Sequence, residues 1–239
     1  MRIEIIKCLQ DNFSYLIIDE ENNSACVIDP SEAEPVINYI EKFNINLKFI
    51  LNTHHHFDHI GGNKELKKKY NSKVIGFKKD ENRIPEIDIT LNNREIWKNN
   101  KFEAKIYHIP GHTSGHVCYH FFNQNNLFTG DTLFSLGCGR IFEGTYEQMF
   151  NSLQLIKSFS EDTKIYCGHE YTLKNSEFCI KHDKNNSALI EKIESIKKKL
   201  EKGFPTVPST IKEELECNIF LRSKDVESFS KLRDLKDNF

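Results

Sequence analysis

Short apolar runs separated by polar turns fill the first two thirds of the chain, and a helical period replaces them in the last third. Ile3–Leu9, Tyr15–Ile18 and Ala25–Ile28 are expected as strands, with the polar segments 10–12 and 20–23 as turns between them. Ser31 followed by Glu34 has the form of a capping box. Val36, Ile37, Ile40 and Phe43 then recur on one helical face. The apolar run from Lys48 to Asn52 predicts a short buried strand, Gly61-Gly62 a sharp turn, and Asn63 a cap for a helix through Leu66 and Tyr70. Val74–Phe77, Ala104–His108 and Val117–Phe122 continue the strand pattern, while the polar stretch between the first two carries no clear period. Thr145 and Gln148 open a helix with Met149, Leu153 and Ile156 inward.

Beyond residue 172 the pattern changes. Leu189, Ile193, Ile196 and Leu200 form a stripe along a helix over Ser187–Lys202 that Gly203 ends. Thr210 and Glu213 open another, and residues 225–239 form a last one with Val226, Phe229 and Leu232 inward. The expectation is an α/β catalytic domain over 1–172 and a small helical domain over 173–239.

The candidate chemistry sits where strands end. Residues 53–62 read T-H-H-H-F-D-H-I-G-G between a strand and a helix. If His54 and His56 keep the strand's two-residue period they point one way and His55 the other, and two imidazoles on one side are half of a tetrahedral divalent-metal site. Asp58 and His59, on the bend, can face a second position. Three further strands end beside glycine and a ligand-type residue: His112 in I-P-G-H-T-S-G-H, Asp131 in L-F-T-G-D-T-L, and His169 in I-Y-C-G-H-E-Y. A carboxylate has two oxygens and can bridge two cations. For His116 and His120 a reading as ordinary hydrogen-bonded histidines stands at least level with a ligand role, and His108 and His182 carry no stronger claim. The glycine-rich segment 137–144 lacks the G-K-[ST] ending of a phosphate loop.

Composition narrows the classes. With 239 residues, 38% hydrophobic, of which 18 are Phe, a sizeable core is available. A net charge of −2 argues against bulk binding to nucleic acid or an anionic membrane. No run approaches eighteen apolar residues, and Met-Arg-Ile-Glu-Ile-Ile has no signal-peptide pattern. The 7 Cys form no C-x-x-C pair and lie mainly in strand-like runs, so free buried thiols in a reducing cytoplasm are expected.

With those residues in hand, the chain resembles the metallo-β-lactamase superfamily and, within it, the glyoxalase II (hydroxyacylglutathione hydrolase) family. T-H-H-H-F-D-H, G-H-T-S-G-H, F-T-G-D-T-L-F and Y-C-G-H-E-Y-T carry the resemblance, and the helical tail with P-T-V-P-S-T and R-x-x-K narrows it. The resemblance implies a four-layer αββα sandwich followed by a small C-terminal helical domain. It implies two divalent metal ions, zinc first, with iron or manganese also suited to such a set. His54, His56 and His112 would hold one, Asp58, His59 and His169 the other, with Asp131 bridging; Asp58 and Asp131 are the implied catalytic carboxylates. It implies hydrolysis of S-D-lactoylglutathione and related 2-hydroxyacylglutathiones, the second step of methylglyoxal detoxification, with Arg140, Phe142, Tyr171, Arg233 and Lys236 contacting the glutathione. The family often has Lys and Tyr where this chain has Arg140 and Phe142. No nucleic-acid, membrane or obligate protein partner is implied. A one-iron dioxygenase of the same superfamily, or a binding protein that has lost catalysis, would need fewer ligands than this sequence keeps.

Overall fold

The computed structural model describes residues 1–239 and divides into two compact units: Met1–His108 with Gly115–Gln124, and Ile109–Ser114 with Asn125–Phe239.

The first unit is built on a six-stranded sheet in the order β1 (Arg2–Cys8), β2 (Asn12–Asp19), β3 (Ser24–Ile28), β4 (Asn46–Leu51), β5 (Lys73–Phe77), β6 (Ile89–Leu91). β1 to β3 form an antiparallel meander, and β3 to β6 run parallel. Parallel neighbours require crossovers. Helix α1 (Ala33–Phe43) supplies one, and the short α2 (Phe57–Ile60) with α3 (Asn63–Tyr70) supplies the next. Val36, Ile37, Ile40 and Leu66 of these helices bury against Leu16, Ile18, Val27, Ile50 and Val74 of the sheet. Three antiparallel strands, β7 (Ile96–Asn99), β8 (Phe102–His108) and β9 (Val117–Phe121), complete the unit. Phe49 of β4 meets Trp97 of β7 and Phe102 of β8 edge-on, with ring centroids 5.0 and 6.3 Å apart. Because both faces of the first sheet are covered, β2 and β3 are buried at every position.

Some local expectations differ. Ser31 caps nothing: α1 begins at Ala33 with no side-chain cap, and the Ser31 amide donates to Ser14 Oγ at 3.1 Å. Asn63 is the first helical residue of α3 and its side chain pairs with buried Asn52. The polar stretch 78–103 contains β6, β7 and a 3-10 turn over Lys78–Asp80.

In the second unit β10 (Asn126–Gly130) and β13 (Lys164–Cys167) run parallel, and β14 (Ser209–Thr210) joins β13 antiparallel. A small hairpin of β11 (Leu133–Phe134) and β12 (Gly137–Cys138) follows β10. Helices α4 (Tyr146–Lys157), α5 (Thr172–His182), α6 (Ser187–Glu201), α7 (Ile211–Cys217) and α8 (Val226–Asp237) make up the rest. Thr145 and Thr210 form complete capping boxes with Gln148 and Glu213. α5 carries no apolar stripe in the sequence because small polar residues, Thr172, Asn175 and Ser176, face its interior side. α4 packs on α7 and α8, so strands and helices of this unit share one core. No helix is long and apolar enough to cross a membrane.

Candidate metal centre

In the first unit the motif loop leaves the carboxyl end of β4, where open parallel sheets place ligands. His54 is wholly buried, and its ring packs edge-on to His56 at 4.7 Å and tilted against His59 at 4.2 Å. His55 turns away toward Asp80, its Nδ1 3.6 Å from Oδ2, so the alternation expected for the three histidines holds. Arg83 fixes Asp80 in turn, and Gly115 lies against the same carboxylate: a Cβ there would stand 1.9 Å from Oδ1. His116 is buried and stacks on His54 at 4.6 Å.

Asp29 organises this cluster, and nothing in the sequence singled it out. It is 2% exposed, in the left-handed region at φ 48, directly after β3. Its Oδ1 accepts from the Thr53 amide at 2.8 Å and its Oδ2 from the Thr53 hydroxyl at 2.6 Å. His59 Nδ1 lies 3.0 Å from the same Oδ2. Since the Thr53 hydroxyl gives its proton to Asp29, it receives the Nδ1–H of His54 at 3.0 Å. Both rings therefore carry their proton on Nδ1, and Nε2 holds the lone pair, the tautomer that a metal requires. The signal that could have found Asp29 is D-P at a parallel strand's end beside the motif strand, a position where carboxyl ends converge.

Asp58, the other acid of the motif, has Oδ2 3.6 Å from His59 Nε2. Asn12 donates from Nδ2 to that oxygen and to the Asp58 carbonyl, both at 3.0 Å.

In the second unit the parallel pair β10–β13 delivers two ligand-type residues side by side. Gly130 and Cys167 are in register, and the Gly168 amide donates to the Gly130 carbonyl at 2.9 Å. Asp131 and His169 follow, with His169 Nε2 3.2 Å from Asp131 Oδ2. His112 Nε2 reaches the same oxygen at 3.5 Å. All three are about 95% buried. His112 Nδ1 lies 2.8 Å from the Arg140 carbonyl, which only accepts, so this ring too keeps its proton on Nδ1. Two lone-pair atoms, His112 Nε2 and Asp131 Oδ2, thus face each other in a buried site, an arrangement that a cation between them relieves. His59 Nε2 and Asp58 Oδ2 also face each other, there with the Asp58 carboxylate partly exposed. The donor sets fit divalent metal.

Around these residues Tyr171 stacks on His169 at 4.7 Å with rings 4° from parallel, and Phe142 stands edge-on to His112 at 5.2 Å. Arg140 is exposed and donates from Nε to Asp237 Oδ1 at 3.2 Å. Lys236 is half-buried over the rings of Phe178 and Phe239, and burial, followed by the charge of Arg233, holds its ammonium below the ordinary lysine value. Arg233 lies three residues before Lys236 on α8. Arg233 is 5% exposed, its guanidinium packed 5.2 Å from the Phe220 ring and donating to the Cys138 carbonyl at 2.8 Å and to Asp237 Oδ1 at 2.9 Å. All seven cysteines are buried free thiols, and burial pushes Cys167, two residues before His169, up to about 12. It has no nucleophilic thiolate at neutral pH.

Residues 10–169 match the family described as Metallo-beta-lactamase superfamily, and residues 170–239 match Hydroxyacylglutathione hydrolase C-terminus. The chain is 68% identical to a hydroxyacylglutathione hydrolase of Pelagibacter ubique (strain HTCC1062), covering 100% of both. It is 46% identical to one of Prochlorococcus marinus (strain MIT 9301), over 97% of this chain and 94% of the other. Among solved structures, ETHE1 from Myxococcus xanthus is similar with a TM-score of 0.75 at 23% identity, covering 98% of this chain and 90% of that one. The B3 metallo-β-lactamase BLEG-1 is similar at 0.72 and 22%, covering 93% and 100%. These two share the fold the resemblance implied, and the full-length relatives narrow it: the chain belongs to the metallo-β-lactamase superfamily and, within it, to the hydroxyacylglutathione hydrolase family.

Proposed function

We propose that this enzyme hydrolyses the thioester of S-D-lactoylglutathione and related 2-hydroxyacylglutathiones, releasing glutathione and a 2-hydroxy acid, and that seven residues hold the metal pair it uses. His54, His56 and His112 would hold one divalent ion and Asp58, His59 and His169 the other, with Asp131 as the carboxylate proposed to serve both. Zinc is the proposed metal, since imidazole dominates the set; iron and manganese suit its carboxylates as well. The observation that carries the reading is the proton placement: His54, His59 and His112 each commit Nδ1–H to a buried acceptor and turn a lone pair inward. When bound, such ions supply hydroxide at neutral pH and polarise the carbonyl under attack.

The chain's own residues do the rest. Asp29 and the Arg140 carbonyl hold the imidazoles in the ligand tautomer, so no ring must turn or exchange a proton during turnover. Asn12 fixes the Asp58 carboxylate. Water adds its oxygen to the acyl carbon, the C–S bond breaks, and the thiolate takes the remaining proton. A glutathione thiol has a pKa of about 8.5, so the leaving group asks for no strong acid and none is assigned. Tyr171 and Phe142 flank the ligand histidines and are proposed to face the substrate. Phe142 lacks the hydroxyl of the tyrosine the family often has there, giving an apolar contact where that hydroxyl would donate a hydrogen bond. Arg140, Arg233 and Lys236 are the cations proposed to meet the anionic glutathione, with residues 173–239 as the domain that supplies Arg233 and Lys236.

Purified protein reconstituted with zinc should bind two equivalents and hydrolyse lactoylglutathione. At most one equivalent, or no thioester hydrolysis by the loaded protein, would overturn the reading. Cytoplasm is the proposed compartment, because seven buried cysteines in the thiol form suit a reducing one.

A further inference from the structure

The end of α8 carries a carboxylate that helix physics does not favour. Asp237 is the last residue of that helix, where the backbone dipole presents its negative end. Its place is fixed, since Phe229 and Arg233 of α8 are buried and the Tyr146 hydroxyl donates to Asp234, three residues before Asp237. Asp237 gathers two cations on one oxygen. Its Oδ1 accepts from Arg233 Nη2 at 2.9 Å and from Arg140 Nε at 3.2 Å, the latter across 97 residues of sequence.

The two guanidiniums depend on Asp237 unequally. Arg233 is 5% exposed and already held by the Cys138 carbonyl at 2.8 Å and by the Phe220 ring. The Arg140 side chain is 55% exposed, and Asp237 is its only hydrogen-bond partner. Without that partner a side chain so long samples many rotamers, and ordering it on a ligand weakens binding. The Arg140 main chain is fixed as well, because its carbonyl receives the His112 Nδ1–H at 2.8 Å. Arg140 therefore rests by its backbone on a ligand histidine and by its side chain on α8. Asp237 takes only Nε, which leaves the two terminal nitrogens as a parallel pair, the edge that binds a carboxylate bidentately. A lysine, frequent in the family at this position, has one nitrogen and cannot serve both partners.

We propose that Asp237 is a positioning residue for the substrate's carboxylate: by holding Arg140 through Nε it keeps the terminal pair of that guanidinium ordered for a carboxylate of the glutathione moiety. This rests on the reading of Arg140 as a cation that meets glutathione, and it leaves Arg233 and Lys236 in the same role. Asp237 itself does not touch the substrate. Its charge repels an arriving anion, but on an exposed face that repulsion is screened by salt and is smaller than the gain from an ordered fork.

The test is Asp237→Ala, which removes the acceptor and suits a helix, and Asp237→Asn, which keeps an acceptor without the charge. Zinc-loaded protein is titrated with glutathione by calorimetry, and kcat and KM are measured with lactoylglutathione and with a small uncharged thioester. Asp237→Ala should weaken glutathione and raise KM for lactoylglutathione about fivefold, the equivalent of about 1 kcal/mol for an exposed pair. The kcat on both substrates and the KM for the uncharged thioester should stay near wild type, and Asp237→Asn should fall between. In an Arg140→Lys background the Asp237→Ala change should cost less than about twofold, because the coupling runs through Nε. Glutathione bound by Asp237→Ala as tightly as by wild type, or more tightly, would overturn the proposal. So would the full loss persisting in the Arg140→Lys background, or a kcat lowered on both substrates. Should Asp237→Ala not fold, Asp237→Asn decides: weaker glutathione binding supports the proposal, and equal or tighter binding refutes it. Failure of the underlying reading would look different, because Arg140→Ala would then leave glutathione affinity unchanged.

Discussion

Asp29→Asn tests the ligand tautomers most directly. The change is isosteric, and Asn tolerates the left-handed backbone found at φ 48, so neither space nor strain confounds it. Asp29 accepts three hydrogen bonds, from the Thr53 amide, the Thr53 hydroxyl and His59 Nδ1. The amide offers one acceptor and one donor in place of two acceptors. With its NH₂ toward His59, that ring keeps a hydrogen bond only by moving its proton to Nε2, which removes the lone pair a metal needs. With its NH₂ toward the Thr53 amide, two donors collide beneath the first ligand. A hydrogen bond to a charged acceptor is worth about 1.5–3 kcal/mol, so losing one such contact predicts about 2 kcal/mol. At 1.4 kcal/mol per decade that is roughly thirtyfold in metal affinity, within the range for outer partners of ligands. Chelator competition with zinc reads it, with circular dichroism to establish that the variant is folded. A folded Asp29→Asn protein that binds two zinc ions as tightly as wild type would refute the account of proton placement.

Asp131→Ala should abolish thioester hydrolysis and weaken both zinc sites, as measured by titrated metal content; near-normal turnover would show that the carboxylate does not bridge. Lys236→Ala should raise KM for lactoylglutathione by about fivefold, an exposed-pair contribution of about 1 kcal/mol, and leave KM for an uncharged thioester alone. Equal effects on both substrates would place Lys236 outside the anion site. Glu214 is wholly buried, and desolvation raises its carboxyl above the ordinary value against Ser209, Asn218, the Leu136 amide and Lys192. Its folded form favours the proton, so its contribution is complete below the ordinary glutamate range and is lost as pH rises through the raised value. Urea unfolding of wild type and Glu214→Gln between pH 4 and 8 should show wild type losing ground to the variant as pH rises; a constant difference would contradict it.

Periodicity gave the strands of the first unit and the helices after residue 186, because both faces and stripes there are defined by large apolar side chains. It missed α5 because small polar residues bury as well as apolar ones when a neighbour supplies their hydrogen bonds. It missed β6 and β7 because three- and four-residue strands are too short to show a period. The three-residue spacing identified the caps at Thr145 and Thr210, and the same spacing misled at Ser31, whose amide bonds to Ser14 across the sheet.

The candidate ligands were legible because four share one short motif after a strand and the other three, His112, Asp131 and His169, each follow a glycine, local arrangements written in consecutive residues. What orients them was not. Asp29 and His59 are 30 residues apart, and His112 and Arg140 are 28 apart. A residue's identity says that it can accept or donate, whereas its partner is decided only when parallel strands bring their carboxyl ends together. By itself the sequence determined the family, the fold class and the kinds of atom offered to a metal. The tertiary structure decided which nitrogen of each oriented histidine carries its proton, and it buried Arg233, because burial and hydrogen-bond partners are properties of the folded chain and of no segment within it.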